Sequence, residues 1–337
     1  MVDKININSS ININPKKDKF FISINKQEVH SFVMIGVYNQ HKVQHVLCRV
    51  GKGAQLALNE RTCTGILKAQ CRVLFSNHPA QLYNEGVYHE SKQHKSINYQ
   101  AYDITFVQYM EFLKVLAGLQ TQPDQFPCFQ PANEQTSENI VLEYKSLIAT
   151  KKTVEQIRAT TTGLSINNTC RHTAIKLVEE VQQSPISSEV SSLYFYNLPY
   201  QTYLKHGKPT KHIPFYVLPV TPIAYVHLGE QKVRVLQTLY KRMEKLLALA
   251  PEAAETVEKF DCLKDLYNQI AGPRSEMSLN ELLNCVKQWK QDNSKVLSTL
   301  RKYTFLDFFW WNRKSATMKM VDEIEQYLSS KTTTLGK

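Results

Sequence analysis

The sequence lacks paired cysteines. Its seven cysteines are scattered, none stands in a CxxC pair, and their number is odd. Disulfide frameworks and structural zinc sites use evenly numbered or closely spaced cysteines. The pattern therefore favours separate, reduced thiols in a cytosol, and we expect no metal and no other cofactor.

Long apolar runs are also missing. The longest, around Phe215–Leu218 and Phe305–Trp311, fall well short of the roughly 20 residues that span a membrane. The N-terminus has an Ile–Asn alternation in place of the apolar core of a signal peptide. We expect a cytoplasmic protein, or one that is secreted into a host cell without a cleaved signal peptide.

The positive charge is large but not concentrated. Net charge is +11, from 41 Lys+Arg against 30 Asp+Glu, yet no basic block exceeds pairs such as Lys16-Lys17. Nucleic-acid binders more often gather their charge into a stripe with aromatic platforms. Nucleic acid is therefore a disfavoured partner, and a protein is the favoured one.

Composition divides the chain into three parts. Residues 1–18 are low in complexity and predict a flexible N-terminal segment, although their alternation also suits an edge strand. Residues 19–228 mix strand and helix patterns, and residues 229–337 contain few glycines and have helical spacing throughout. The predicted fold class is α+β, a small antiparallel sheet packed on helices, followed by an all-α helical bundle.

Individual elements follow from the apolar spacing and the turn residues. The predicted strands are Phe20–Ile24, Val29–Tyr38, Val43–Val50 and Cys71–Phe75. The predicted helices are Phe106–Gln120, Asn139–Ile148, Cys170–Gln183, Glu230–Leu249, Glu252–Ala271, Ser278–Asp292 and Ser315–Ser329. The Gly51-Lys52-Gly53 segment is predicted to end the hairpin of the second and third strands.

Cys170 is the candidate nucleophile. It follows three residues that can cap a helix, Asn167-Asn168-Thr169, and therefore falls in the first helical turn. Unpaired N–H groups and the positive end of the helix dipole stabilise a thiolate there. The same N–H groups can serve as an oxyanion hole. A lone helical cysteine is otherwise a small buried hydrophobe.

His30 is the candidate base. It opens the apolar run Ser31–Tyr38, which predicts a buried central strand rigid enough to hold an imidazole near a thiol. His172 lies two residues beyond Cys170 on the same helix, so it points away from the sulfur.

A third, orienting residue is hard to place. Pairing Tyr38 with Val43 brings Arg49 and Gly51 near His30, and an arginine is a poor partner for a base. A β-bulge, a backbone carbonyl or the absence of a triad remain open. Glu85, Glu90, His89 and His94 form a loose cluster in a predicted loop, which we expect to be solvated.

The order of these motifs resembles a known family. His30-Ser31-Phe32 opens a strand, Tyr102-Asp103-Ile104-Thr105 precedes a helix, and Asn168-Thr169-Cys170 opens another after a proline-containing loop. This order is similar to that of the circularly permuted NlpC/P60 (papain-like) cysteine hydrolases, which include the lecithin:retinol acyltransferase-like proteins. The resemblance covers residues 28–183 and implies Cys170 as nucleophile and His30 as base.

The two-part layout also resembles secreted effectors of intracellular bacteria, which often join a small hydrolase to a helical module. An aromatic cluster in the C-terminal part can close the bundle core or form a surface for a protein partner or a membrane. Its members are Phe305, Phe308, Phe309, Trp310 and Trp311.

The leading hypothesis is an effector-like cysteine hydrolase with peptidase, deamidase or acyltransferase chemistry through a Cys–His pair. The alternative is a non-catalytic protein-binding effector or pseudoenzyme that acts through its helical module.

Overall fold

A computed structural model describes residues 10–54, 78–87, 95–132, 138–150, 155–205, 207–210, 212–272, 277–299 and 314–335. The chain divides into two compact units, Met1–Val220 and Thr221–Lys337. The first unit combines antiparallel sheets with helices and the second is helical, which confirms the predicted α+β class. The division falls slightly before the boundary predicted between residues 228 and 229.

The described part of the first unit contains eleven strands in two sheets. In chain order they are β1 (Ser10–Ile13), β2 (Lys19–Gln27), β3 (His30–Asn39), β4 (Lys42–Ala54), β5 (His78–Asn84), β6 (Lys95–Ile104), β7 (Pro127–Pro131), β8 (Ile140–Ser146), β9 (Gly163–Leu164), β10 (Tyr200–Lys205) and β11 (Lys208–Pro209). The main sheet has the order β11-β10-β6-β2-β3-β4-β5-β9, and the small sheet has the order β1-β8-β7.

The centre of the main sheet agrees with the predicted hairpin. Strands β2 and β3 are buried along nearly their whole length, as expected for central strands. Tyr38 pairs with Val43 as predicted, and the turn between them has positive φ at Gln40 and His41. The pairing of β3 with β4 ends at Phe32–Gly51, as predicted, but strand β4 itself continues to Ala54, because β5 pairs with Val50–Ala54 on its other edge.

The small sheet decides one open expectation and corrects another. Residues 10–13, expected in a flexible segment or an edge strand, form the edge strand β1, which pairs with β8 from Ser10–Glu143 to Ile13–Ile140. The predicted helix 139–148 is strand β8, because its β-branched and aromatic residues fit a half-buried strand between β1 and β7. The predicted strand 71–75 lies outside the described residues.

The described part of the first unit is completed by a 3-10 helix at Glu85–Val87 and by three α-helices: α1 (Phe106–Leu119), α2 (Glu155–Thr161) and α3 (Cys170–Gln182). Thr105 caps α1 in a capping box with Gln108. Helix α3 packs on β2, β3 and β4 and against α1 and α2. This packing places the first residue of α3 beside the first residues of β3.

The second unit contains a 3-10 helix at Pro222–Leu228 and, among its described residues, the helices α4 (Glu230–Leu249), α5 (Ala254–Ala271), α6 (Leu279–Asp292), α7 (Ser294–Ser298) and α8 (Ala316–Leu335). Helix α4 packs on α5, and α6 packs on α8. Ser278 and Glu281 form a capping box at the start of α6, as the sequence predicts.

Two sequence expectations concern contact with a membrane. The aromatic cluster at 305–311 lies outside the described residues. Within the described ranges, the helices lack the length and the apolar character needed to cross a membrane.

Candidate active site

Cys170 is the first residue of α3. Thr169 is the N-cap in extended conformation, so the predicted position of the cysteine in the first helical turn is confirmed. The Ser31 backbone N–H donates a hydrogen bond to Cys170 Sγ at 3.2 Å. That bond joins the helix tip to β3 and stabilises negative charge on the sulfur.

His30 begins β3 and meets Cys170, as the sequence predicts. A hydrogen bond links the imidazole to the cysteine side chain and raises the pKa of His30. On its other side, His30 Nε2 lies 2.5 Å from Glu85 Oε1 and 3.2 Å from the Tyr83 hydroxyl. Because Nε2 faces this carboxylate, Nδ1 is the ring nitrogen left for the sulfur.

Glu85 is the orienting partner of His30, the third member of the site, which the sequence reasoning did not find. It follows the last residue of β5, at the start of a 3-10 helix, and its side chain is completely buried. The expectation that Glu85 belongs to a solvated cluster was therefore wrong, and its three other members lie outside the described residues. Finding it required the register of β5 on β4, which pairs Tyr83 with Gly51.

Gly51 makes room for the His30–Glu85 contact. A Cβ at this position would lie 2.0 Å from Glu85 Oε1 and 2.8 Å from His30 Nε2. Real Cβ atoms essentially never approach other atoms that closely, so only glycine allows the carboxylate and the imidazole to meet above β4. The sequence places Gly51 near His30, as observed, but does not show that its missing side chain matters.

The charges of the pair favour an imidazolium and a thiolate. Burial alone would lower the pKa of His30, but the Glu85 carboxylate and the hydrogen bond to Cys170 outweigh it and raise the pKa to about 10. Burial alone would raise the pKa of Cys170, but the hydrogen bond and charge of His30, the Ser31 N–H and Lys52 lower it. Both shifts act in the direction that favours the charged pair.

Lys52 is a second residue that the sequence reasoning missed. Its ammonium is buried and donates to Thr160 O at 2.7 Å, Asn168 O at 2.7 Å and Asn168 Oδ1 at 2.9 Å. Burial lowers its pKa to about 8, and the charge of Cys170 works in the opposite direction. Lys52 thus fixes the loop before α3 and adds positive charge near the sulfur.

Arg171, the neighbour of Cys170, attaches α3 to its surroundings. Its guanidinium is fully buried and donates to Ser31 Oγ at 2.9 Å, Ser191 O at 3.1 Å and Tyr196 O at 3.1 Å. Burial lowers its pKa to about 10. Through these bonds Arg171 fixes both strand β3 and the 191–196 loop relative to the nucleophile.

His172 has a structural role at the helix start. The Thr169 N–H donates to His172 Nδ1 at 3.3 Å, and the Thr169 hydroxyl lies 2.9 Å from the same nitrogen. The ring therefore takes the place that glutamate or glutamine holds in a capping box. This agrees with the prediction that His172 does not serve Cys170 as a base.

The other described cysteines differ from Cys170. A hydrogen bond to Cys128, together with burial, raises the pKa of Cys48, and burial raises the pKa values of Cys262 and Cys285. Among these, Cys170 alone has a lowered pKa. Within the part of the chain that the structure describes, no group of three His, Cys, Asp or Glu side chains could hold a metal ion.

No family model, curated protein or solved structure matches this chain. Its chemistry is therefore inferred from the positions of Cys170, His30 and Glu85.

Proposed function

We propose that this chain is a cysteine hydrolase or acyltransferase with a Cys170–His30–Glu85 triad. The observation that supports it most is the 2.5 Å contact of the buried Glu85 carboxylate with the imidazole that is hydrogen-bonded to Cys170. A nucleophile, a base and a group that orients the base are the three parts of activated nucleophilic catalysis. Here they come from three distant segments of one chain.

The resting site favours a charge-separated pair in which His30 already holds the thiol proton. The thiolate attacks the carbonyl carbon of an amide or ester, and the C=O electron pair moves onto oxygen. The imidazolium then gives its proton to the leaving nitrogen or oxygen as that bond breaks, which leaves a thioester on Cys170. A water molecule loses a proton to His30, attacks the thioester and restores the thiolate.

The start of α3 also supplies hydrogen-bond donors for the carbonyl oxygen. First-turn residues such as Cys170 have backbone N–H groups with no carbonyl four residues earlier to bind. Beside a nucleophile, such N–H groups stabilise the negative oxygen of a tetrahedral intermediate. The His30 side chain is 25% exposed, so a carbonyl compound can approach the pair from solvent.

The chemistry is common to peptidases, deamidases and acyltransferases, and we propose it at that level. The His30-to-Cys170 order and the helix-tip cysteine are consistent with a permuted papain-like hydrolase of an effector type. The case for a non-catalytic binding protein depended on a missing third residue, and Glu85 now occupies that place. We therefore favour the enzyme.

The test is iodoacetamide labelling of the folded protein across pH 5–9, mapped by mass spectrometry. We expect Cys170 to react at pH 6 while Cys262 and Cys285 do not, because their pKa values are raised. In His30→Ala this selective labelling should disappear. With p-nitrophenyl acetate, wild type should release a burst of nitrophenolate and hold an acetyl group on Cys170.

Cys170→Ala is the control for the second measurement. It should give no burst and no acetylated peptide, whereas Cys285→Ala should behave like wild type. Full activity in Cys170→Ala, or equally slow labelling of all three cysteines, would contradict the proposed enzyme. Effort would then move to binding partners of the helical unit.

A further inference from the structure

Arg49 is a buried cation on the strand that carries Gly51. It is only 4% exposed and lies two residues before Gly51 on β4. The register from Phe32–Gly51 to Met34–Arg49 is continuous, so Arg49 and Gly51 lie on the same face of the main sheet. Glu85 Oε1 lies over Gly51, 2.0 Å from the place of a Cβ atom. Arg49 is therefore the next residue on that face of the strand beside the carboxylate.

Two contacts fix the position of the guanidinium. Its Cζ atom lies 4.8 Å from the centre of the Phe32 ring, a cation–π contact, and Nη1 donates to Gly207 O at 3.2 Å. Phe32 in turn stacks on His30, with ring centroids 6.1 Å apart and planes 18° from parallel. His30, Phe32 and Arg49 therefore lie side by side on one face of the sheet.

Neither contact neutralises the positive charge of Arg49. Nε and Nη2 are buried and have no hydrogen-bond partner among the described residues. Burial lowers the pKa of Arg49, and the negative charge of Glu85, followed by that of Tyr83, acts against this. A buried charge is unfavourable unless an opposite charge compensates it. The Glu85 carboxylate is therefore the main compensation for the buried guanidinium.

The same interaction acts on Glu85. Its side chain is completely buried, and burial favours the neutral form of a carboxyl group. The groups that face it are His30 from β3 and Arg49 from β4, and Tyr83 from β5 places its hydroxyl 3.2 Å from His30 Nε2. In the proposed resting state the charge of His30 also compensates the Cys170 thiolate. Arg49 supplies the further positive charge that favours an ionised carboxylate.

We infer that Arg49 is a positioning residue of the proposed site, whose positive charge keeps Glu85 ionised. The ionised Glu85 in turn holds the His30 imidazolium beside Cys170. This inference rests on the proposed function, because it assigns Arg49 a role in the triad. Positive and negative charges then alternate along four neighbouring side chains, in the order Arg49, Glu85, His30 and Cys170. Lys52, from the opposite face of β4, supplies positive charge at the sulfur end.

The experiment follows the Glu85 carboxyl group of the full-length protein by carbon NMR of the glutamate Cδ atoms. Comparison with Glu85→Gln assigns the signal. We expect Arg49→Met to raise the midpoint of the Glu85 titration by about 1 pH unit or more, because the carboxylate loses a neighbouring cation. The midpoint of Cys170 labelling by iodoacetamide should rise with it. The alkaline titration of His30 should stay near pH 10, because Glu85 is ionised there in both proteins.

Two further variants separate charge from shape. Arg49→Lys keeps the positive charge but loses the planar guanidinium, so it should restore most of the wild-type Glu85 midpoint. The matched control is Lys26→Met, which removes another buried cation. Lys26 donates to Phe195 O, and the charge of Arg171, not of Glu85, acts on it. This control should leave the Glu85 titration unchanged.

A double variant tests whether Arg49 acts through Glu85. In Glu85→Gln protein, Arg49→Met should not move the midpoint of Cys170 labelling any further, because the carboxylate is already gone. A merely structural Arg49, acting through its bond to Gly207, would change the labelling equally with and without the carboxylate. If Arg49→Met does not fold, wild type supplies the test. Its Arg49 Nε resonance should shift with the same midpoint as the Glu85 Cδ signal.

Three outcomes would overturn the inference. They are an unchanged Glu85 midpoint in Arg49→Met, an equal rise in Arg49→Lys, and an Arg49 resonance that does not respond to the Glu85 titration. If the Glu85 midpoint moves as expected but Cys170 lacks selective labelling, the charge coupling of Arg49 and Glu85 stands and the proposed enzyme fails. If Cys170 labels selectively but the Glu85 titration is independent of Arg49, the inference alone fails.

Discussion

Replacing Glu85 by glutamine keeps the size of the side chain but removes the negative charge that lies 2.5 Å from His30 Nε2. In wild type the pKa of His30 is about 10, although burial works to lower it, and the charge of Glu85 is the largest influence that raises it. The substitution should therefore lower the pKa of His30. The imidazolium–thiolate pair would then exist over a narrower pH range.

The magnitude follows from the contact. An opposite charge at hydrogen-bonding distance changes a pKa by about 1–3 units, which is about 1.4–4 kcal/mol. We expect the His30 pKa to fall to between about 7 and 9 in Glu85→Gln. The folded-state pKa of His30 exceeds its ordinary value of 6.5, so this residue contributes stability fully below pH 6.5 and loses it as pH rises through about 10. In the variant the loss should begin at the same pH but be complete at a lower pH, and it should be smaller in total.

The assay is NMR titration of the histidine Cε1–H groups, with His30 assigned by comparison with His30→Ala. Glu143→Gln, an exposed substitution on β8, is the control and should leave the His30 titration unchanged. The alkaline limb of p-nitrophenyl acetate hydrolysis should move in parallel with the His30 pKa. If His30 in Glu85→Gln still titrates near pH 10, the reasoning that Glu85 sets its charge is wrong.

Three further predictions follow from the contacts. Gly51→Ala should separate the His30 imidazole from the Glu85 carboxylate and lower the free energy of unfolding by about 1–3 kcal/mol, seen as a lower melting temperature in circular dichroism. An unchanged His30 titration would contradict this. Lys52→Met should lower the free energy of unfolding in urea by about 1–3 kcal/mol, because buried acceptors lose their donor, and should slow Cys170 labelling at pH 6. Equal labelling would show that the Lys52 charge does not act on the sulfur. Ser278→Ala should cost α6 about 1 kcal/mol and speed amide exchange in its first turn, whereas unchanged exchange would exclude a role for this cap.

Local patterns predicted much of the fold correctly. Strands β2 to β4 and helices α1, α3, α4, α5 and α6 are determined by apolar spacing and by caps such as Thr105 and Ser278, which act within a few residues. The segment 140–146 was predicted as a helix because its pattern is short and ambiguous. Its strand conformation depends on pairing with β1 and β7, which are distant in sequence.

Two of the three candidate catalytic residues were identified from the sequence. Cys170 is recognisable because its capping residues precede it directly, and His30 because it begins an apolar strand. Both signals are local. The sequence thus determined the helix-tip thiol, the strand-borne imidazole and the α+β class.

The tertiary structure alone decided the rest. Glu85 reaches His30 only through the register of β5 on β4, and it fits only because Gly51 has no side chain. Lys52 and Arg49 follow the same rule, since their hydrogen-bond acceptors lie more than a hundred residues further along the chain. A single charged residue produces no periodic pattern in the sequence. Its electrostatic free energy depends on burial and on neighbours that exist only after folding.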